Sequence, residues 1–523
     1  SLTEQFGIRS LEFSPEFGFK LNGKKIFLQG NANHHDLGAL GAASYDRAIE
    51  RMMLQLKSFG YNCIRCSHNP YSDSFARIAD RVGILVVDEL TDKWSDNDYW
   101  GGRQPFTHIW HKLITEWIKR DRNRPSIILW SLGNELQIRE GWAGFEGTND
   151  WGITTYNIFN QLVKRWDHTR LTTVAMFPAR AGAITRHDKE FNDYLVPPEL
   201  ACATEVASFN YQSDKYDAYL KYRPDLILFQ SEAETSNLLQ PYYNMDKERM
   251  VGIAYWGSVE YWGESNKWPK KGWNYSFFEH TMRPYPQAYL IKTAFMPEIP
   301  EVHIGVVDAA GAESVSWNDV IVGRMALNEC WNHTPGSRRS LFTFTNAHSV
   351  ELLVNGQSMG IQKNDTTRAN LRNMIYWKDV PYGNGGSVVA IARDKSGKEV
   401  ARHRIETAGK AVALRIEAET PTDWKADGMD LQYINVTVID KKGRPVWDYN
   451  EPLTLQMEGA ARLVALDNGD HYTDELFHGI TSKRMYQGRM QIILRSDQEA
   501  GNVTVKISSA GLKGTLRLKT IKE

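Results

Sequence analysis

Residues 62–89 read NCIRCSHNPYSDSFARIADRVGILVVDE. A short apolar run, CIRCS, is followed by a helix-like segment, SDSFARIADRVG, and by a second apolar run, ILVVDE. That is one strand–helix–strand unit. Upstream, KIFLQG precedes SYDRAIERMMLQLKSFG. In that segment Ile49, Met52, Met53 and Leu56 share a helical face, and Gly60 reads as a C-cap. Downstream, HIWHKLITEWIKRD pairs its apolar positions at Ile109/Trp110, Leu113/Ile114 and Trp117/Ile118, and leads into SIILWSLGNE. The alternation continues with a helix around residues 151–166, then TTVAMF, VASFNY, SDKYDAYLKY, LILFQSE, a polar helix, GIAYW and YPQAYLIKTAF. Eight such units over residues 1–297, after a short N-terminal lead-in, predict a (β/α)8 TIM barrel. A doubly wound open sheet is the competing arrangement, but no GxGxxG follows the first strand.

Beyond residue 297 the pattern changes to short alternating strands, SLFTFTN, VELLVNGQSMG, SVVAIARD and VARHRIET, divided by turns such as Asn355-Gly356. Residues 298–409 are expected to form a β-sandwich. TAGKAV is a short link, and QYINVTVID, MQIILRS and NVTVKIS place a second, immunoglobulin-like sandwich at 410–523.

The 523 residues carry a net charge of −1 and lack any lysine- or arginine-rich run. Nucleic-acid and membrane partners therefore receive no support. The 17 Trp and 23 Tyr suit a carbohydrate ligand, and equally suit large cores. Cys63 and Cys66 form a CxxC inside an apparent strand with no second pair, so they read as core thiols.

In a barrel, function gathers at the C-terminal ends of the strands. Those ends are Asn31–Asp36 (NANHHD), Arg65–Asn69 (RCSHN), Asp88-Glu89, Asn134-Glu135, Asn210-Tyr211, Glu232 and Trp256. Glu135 and Glu232 each close an apolar run. Two carboxylates across a cleft are what glycoside hydrolysis needs, one to protonate the leaving oxygen and one to attack the anomeric carbon. Arg65 would favour an ionised Glu232. Apolar rings such as Trp130 would favour a protonated Glu135. Asp88 and Glu89 read as braces of the barrel mouth. His34, His35, His68 and Trp256 read either as pocket or as packing residues. Lys267, in NKWPKK, is either a solvated loop residue or a partner for a uronate.

WSLGNE at 130–135 resembles the acid/base motif of glycoside hydrolase family 2. FGFKLNGKKIFLQGNANHHD, NCIRCSHNPYSDSFARIADRVGILVVDE, RDRNRPSIILWSLGNE and AYWGSVEYWGE resemble its barrel segments, and residues 298–523 its C-terminal sandwiches. The resemblance implies Glu135 as acid/base and Glu232, rather than Glu234, as nucleophile. It implies Arg65 near the nucleophile, and His68 and the loop residues His34, His35 and Asp36 lining the pocket. Asn134 would contact the sugar's 2-hydroxyl, Tyr211 would flank the nucleophile and Trp256 would offer a sugar platform.

The expected activity is that of a retaining exo-β-glycosidase, first a β-galactosidase. The alternatives are a β-glucuronidase or other β-hexosidase of the family, and a non-catalytic carbohydrate-binding protein. The expected partner is a carbohydrate substrate, without cofactor, and a homo-oligomer is compatible with the sequence. Periplasmic or secreted location is expected from family habit alone. The sequence departs from the family pattern at Arg124, at Glu260 and through FEHTMRPYPQAY. DELTDKW lacks the glutamate–histidine pair of the family's magnesium site, so no metal is expected there. The family's jelly-roll and sandwich domains ordinarily precede the barrel, whereas this sequence opens at the barrel's threshold. A fragment, parts supplied by another chain, or a chain working without them are the readings this leaves.

Overall fold

The computed structural model describes residues 6–94, 105–136, 150–176, 196–235, 238–265, 267–308, 313–317 and 320–522. Eight parallel strands close a barrel: β1 (Leu28–Asn33), β2 (Cys63–Cys66), β3 (Leu85–Glu89), β4 (Ile127–Asn134), β5 (Leu171–Met176), β6 (Val206–Asn210), β7 (Leu228–Ala233) and β8 (Gly252–Trp256). Each is followed by a helix: α1 (Asp46–Ser58), α2 (Asp73–Val82), α3 (Phe106–Asp121), α4 (Ile153–Trp166), α5 (Glu199–Ala203), α6 (Tyr216–Tyr222), α7 (Leu239–Asn244) and α8 (Ala288–Phe295). The strands are buried on both faces, and for that reason they read as apolar runs rather than alternations.

Local chemistry fixes the units. Ser72 Oγ accepts from the Phe75 N–H at the start of α2, a cap contributing about 1 kcal/mol. Gly83 ends the helix in the left-handed region (φ 77°) and returns its N–H to Ala79 O. Phe75, Ile78 and Ala79 of the same helix are buried, and fully burying a side chain the size of Ile or Phe is worth roughly 1.5–3 kcal/mol. Cys63 and Cys66 are free, buried thiols, and burial pushes Cys63 up to about 12.

Two strands are irregular where their carboxylates sit. In β4 the register against β5 shifts between Ser131 and Asn134. In β7 it shifts between Gln230 and Glu232 against β6, and between Gln230 and Ala233 against β8. Such bulges re-aim side chains at barrel rims.

The chain forms two compact units. The barrel strands belong to the first, and both sandwiches belong to the second. Residues 302–406 fold into two four-stranded antiparallel sheets around Trp331, Leu352 and Trp377. Residues 411–519 form a further pair of four-stranded sheets around Trp424, Val436 and Leu494. One sheet of this last pair orders its strands Ala411–Ala418, Leu431–Asp440, Arg489–Ser496, Ala461–Asp467, as in an immunoglobulin domain. Among the described residues, no helix is long and apolar enough to cross a membrane.

Candidate active site

The ends of β2, β3, β4, β6 and β7 meet in one hydrogen-bonded network. At its centre is Arg65, buried on β2. Its Nη1 donates to Glu232 Oε1 at 2.7 Å. Its Nε and Nη2 donate to Glu89 Oε2 at 2.9 and 2.7 Å, and Nη2 also reaches Asn134 Oδ1 at 3.0 Å. A buried guanidinium placed between two glutamates is raised well above its ordinary pKa, although burial alone would lower it. Glu89 responds in the opposite sense. Burial works to raise it, but Arg65 and His68 bring it below the usual carboxylate range. Ser131 Oγ adds a further donor to Glu89 at 2.7 Å.

Glu232 is 3% exposed. Its second oxygen, Oε2, accepts from the Tyr211 hydroxyl at 2.8 Å. Tyr211 follows the end of β6 with φ 59°, and its own N–H donates to the Glu232 carbonyl at 2.9 Å. Both oxygens of Glu232 thus accept hydrogen bonds, the pattern of an unprotonated carboxylate.

Glu135 is also buried, at 8% exposure, and its surroundings differ. It stands just past β4 with φ 50°, in the left-handed region, held by a 2.7 Å bond from its N–H to Ala175 O. A non-glycine residue there costs about 1–3 kcal/mol, a strain typical of functional positions. Asn210 Nδ2 donates to its Oε1 at 3.2 Å. Burial first, and the Glu232 charge second, push Glu135 up to about 8. The two carboxylates are therefore joined by a relay of amides. Asn210 Nδ2 also donates to Asn134 Oδ1 at 3.0 Å, and that oxygen is shared with Arg65.

His68 completes the wall. Its Nδ1 lies 2.6 Å from Glu89 Oε1, and its Nε2 lies 3.2 Å from Asn134 Nδ2. Because Asn134 can only donate there, the network assigns the proton of a neutral His68 to Nδ1. The His68 ring stacks on Trp256 at 5.3 Å with planes 5° apart, and His34 meets the same indole edge-on at 5.1 Å.

The structure thus brings together Arg65, His68, Asn134, Glu135, Tyr211, Glu232, Trp256 and His34. His35 and Asp36 were expected beside them and are engaged elsewhere. The His35 ring packs on Tyr71 at 4.7 Å and on Phe75 at 6.3 Å. Asp36 accepts from the N–H groups of Gly38 and Trp262 through its two oxygens. Both residues follow the end of β1, where strand alternation no longer sets direction. Glu234 lies just past β7, half-buried. Lys267 is exposed.

Sequence reasoning named Asn210 at a strand end without a role, although it bridges the pair, and passed over Asp92, whose Oδ1 accepts from Asn134 Nδ2 at 3.1 Å and from Lys93 Nζ at 2.6 Å. Asn210 carried a signal, since it is the last residue of β6. Asp92 sits in a loop with none. Residues 95–104, 137–149 and 177–195, in the connections after β3, β4 and β5, lie outside the described residues.

A closed (β/α)8 barrel with paired glutamates at the ends of β4 and β7 defines the class. The comparisons define the family. The description "Glycosyl hydrolases family 2, TIM barrel domain" matches residues 16–247, and "Glycoside hydrolase family 2 C-terminal domain 5" matches 414–516. Residues 336–401 match a "Domain of unknown function (DUF4982)". The chain belongs to glycoside hydrolase family 2. It is 27% identical to a β-galactosidase of Bacteroides ovatus, over 98% of this chain and 63% of that protein. It is 42% identical to a putative β-glucuronidase of Formosa agariphila, over 99% of this chain and 51% of that protein. A crystal structure of a family 2 member from Bacteroides cellulosilyticus matches with TM-score 0.85 and 28% identity, over 99% of this chain and 65% of that one. The chain thus spans between half and two thirds of the length of these relatives.

Proposed function

We propose that this chain carries the catalytic barrel of a retaining exo-β-glycosidase that releases terminal β-linked galactose. The observation that carries the reading is the contrast within one pair of buried glutamates. Glu232 accepts from Arg65 and Tyr211 through its two oxygens, whereas Glu135 is pushed up to about 8. Environments that separate two carboxylates in this way assign acid and nucleophile.

In the first step Glu232 attacks the anomeric carbon while Glu135 gives its proton to the departing glycosidic oxygen. The C–O bond to the aglycone breaks and a glycosyl ester forms on Glu232. In the second step the now ionised Glu135 takes a proton from water. The resulting hydroxyl attacks the anomeric carbon, the ester breaks, and both side chains return to their starting forms.

A neutral sugar suits the surroundings. Among the described residues, the cations beside the pair, Arg65 and Lys93, are engaged by Glu89, Glu232 and Asp92. A wall rich in carboxylates hydrogen-bonds hydroxyls and repels a uronate. The similarity to the Bacteroides ovatus β-galactosidase supports the same choice. The second reading, a β-glucuronidase, is favoured by the 42% identity to the putative β-glucuronidase.

The test is hydrolysis of aryl β-galactoside, glucuronide, glucoside and mannoside. Galactoside turnover with the β-anomer formed first, lost at least roughly 10⁴-fold in Glu232→Gln, is the expected result. Glucuronide turnover lost in Lys267→Ala selects the second reading. Sugar binding with no turnover of any of the four identifies a non-catalytic binding protein.

A further inference from the structure

The second compact unit holds a buried cluster that the proposed chemistry does not use. Glu260 and His280 come from the segment that follows β8, and His471 comes from the turn after the Ala461–Asp467 strand, so two chain segments distant in sequence converge. Glu260 Oε2 lies 3.1 Å from His280 Nδ1 and 3.1 Å from His471 Nε2. The ligand-capable atoms of the three all lie within 4.8 Å of one another, and all three residues are buried.

Glu260 Oε2 also accepts from the His280 backbone N–H at 3.2 Å, and its contact with His280 Nδ1 has hydrogen-bond geometry in which the donor depends on the tautomer. Glu260 Oε1 is held by the Tyr285 hydroxyl at 2.6 Å, which leaves Oε2 to face the imidazoles. His280 Nε2 lies 2.9 Å from Asp467 Oδ1. With its proton directed at Asp467, the lone pair of Nδ1 points towards Glu260. A carboxylate that orients a histidine from behind is the usual support of a metal-bound imidazole. His471 supplies the second, independent observation. It is 4% exposed, yet neither ring nitrogen has an aligned hydrogen-bond partner. Its Nε2 approaches Glu260 Oε2 to 3.1 Å without hydrogen-bond alignment. A buried imidazole without an aligned hydrogen bond is costly, and a cation ligated by both His471 and Glu260 would remove that cost. Trp262 packs on both imidazoles, at 4.6 Å from His280 and 4.8 Å from His471.

We propose that Glu260, His280 and His471 bind one zinc ion, with Asp467 orienting His280, and that this ion fastens the segment after β8 to the C-terminal sandwich. Tetrahedral zinc with ligand bonds near 2.0–2.1 Å separates its ligand atoms by about 3.3 Å, close to the two contacts seen here. Two imidazoles and one carboxylate fit zinc better than calcium or magnesium, which take oxygen ligands. The fourth position is left for water or an exogenous ligand, since Glu260 and His471 both line a cavity shared with Glu279, Arg283 and Tyr486. The site lies outside the sequence segment considered above for magnesium.

The test is made on the full chain, stripped with a chelator and titrated with Zn²⁺ by calorimetry. One equivalent is expected to bind and to raise Tm, and Co²⁺ in its place is expected to give the intense visible bands of a four-coordinate site. His471→Ala is expected to abolish binding. Asp467→Asn, which keeps all three ligands, is expected to weaken it 10- to 100-fold. The proposal is overturned if stripped wild-type chain takes up no Zn²⁺ with unchanged Tm, which identifies His280 as an imidazolium between Glu260 and Asp467. It is equally overturned if His471→Ala, or the wild-type-like fold of Asp467→Asn, binds as the wild type does.

Discussion

The barrel mouth and the histidine cluster are built from the same materials and reach opposite results. Each buries glutamates against cationic or imidazole groups. In the barrel, Glu135 faces a second carboxylate and is pushed up to about 8. In the second unit Glu260 is equally buried, but His471 and His280 overcome the effect of burial and hold it far below the usual range. Burial alone therefore does not set the direction. The sign is set by what stands within hydrogen-bond reach, and this is how one chain raises one buried carboxylate and lowers another.

The strongest way to break this comparison is at Glu135. Glu135→Gln is expected to lower kcat by about 10²–10⁴-fold on substrates with poor leaving groups, while activated aryl glycosides are spared in the first step. Steady-state kinetics across a leaving-group series checks this. In the wild type the acid form is present below its pKa, so kcat/KM falls as pH rises through about 8. That limb is expected to vanish in the variant. The same group makes a statement about stability. Its folded pKa lies above the unfolded value of 4.5, so the folded state retains a proton that the unfolded state releases. Stability is thereby lost progressively between pH 4.5 and about 8. Glu135→Gln is expected to raise Tm at pH 8 and to leave it unchanged at pH 4, as read by thermal melts at the two values.

At the other site the direction reverses. Glu260→Gln is expected to destabilise the fold by about 3–5 kcal/mol in urea unfolding, because it removes the buried carboxylate that His280, His471 and Tyr285 all face. A smaller effect sharpens the role of the second oxygen of Glu232, the proposed nucleophile. Tyr211→Phe removes one hydrogen bond to a carboxylate, worth about 1.5–3 kcal/mol, so kcat is expected to fall roughly 10- to 100-fold with the fold intact. The smallest effect is expected at exposed Lys267, where Lys267→Ala changes galactoside kcat/KM less than about twofold, within the usual range for surface positions.

These contrasts also explain what the sequence could disclose. The barrel was legible because parallel strands are buried on both faces and therefore read as apolar runs, each ending in a chemical group. Arg65, Glu135, Tyr211 and Glu232 were named in that way, and the structure places them in one hydrogen-bonded network. His35 and Asp36 were misdirected because they lie past the end of β1, where loop geometry rather than alternation sets direction. Asn210 was visible at a strand end, but its bridging role depends on the register of β6 against β7 and on the bulge at Gln230. The histidine cluster was visible only as two departures from a pattern, Glu260 and FEHTMRPYPQAY. His471 lies 191 positions beyond His280, and no local periodicity connects residues that only the packing of sheets brings together.

The central claim is that Glu232 forms the covalent bond and Glu135 supplies the proton. It is tested most directly by trapping the chain with an activated 2-deoxy-2-fluoro-β-galactoside and mapping the modified peptide by mass spectrometry. The account predicts one sugar per chain, esterified at Glu232, with turnover restored as the ester hydrolyses. A label on Glu234, or hydrolysis that yields the inverted anomer with no trapped ester, would contradict it.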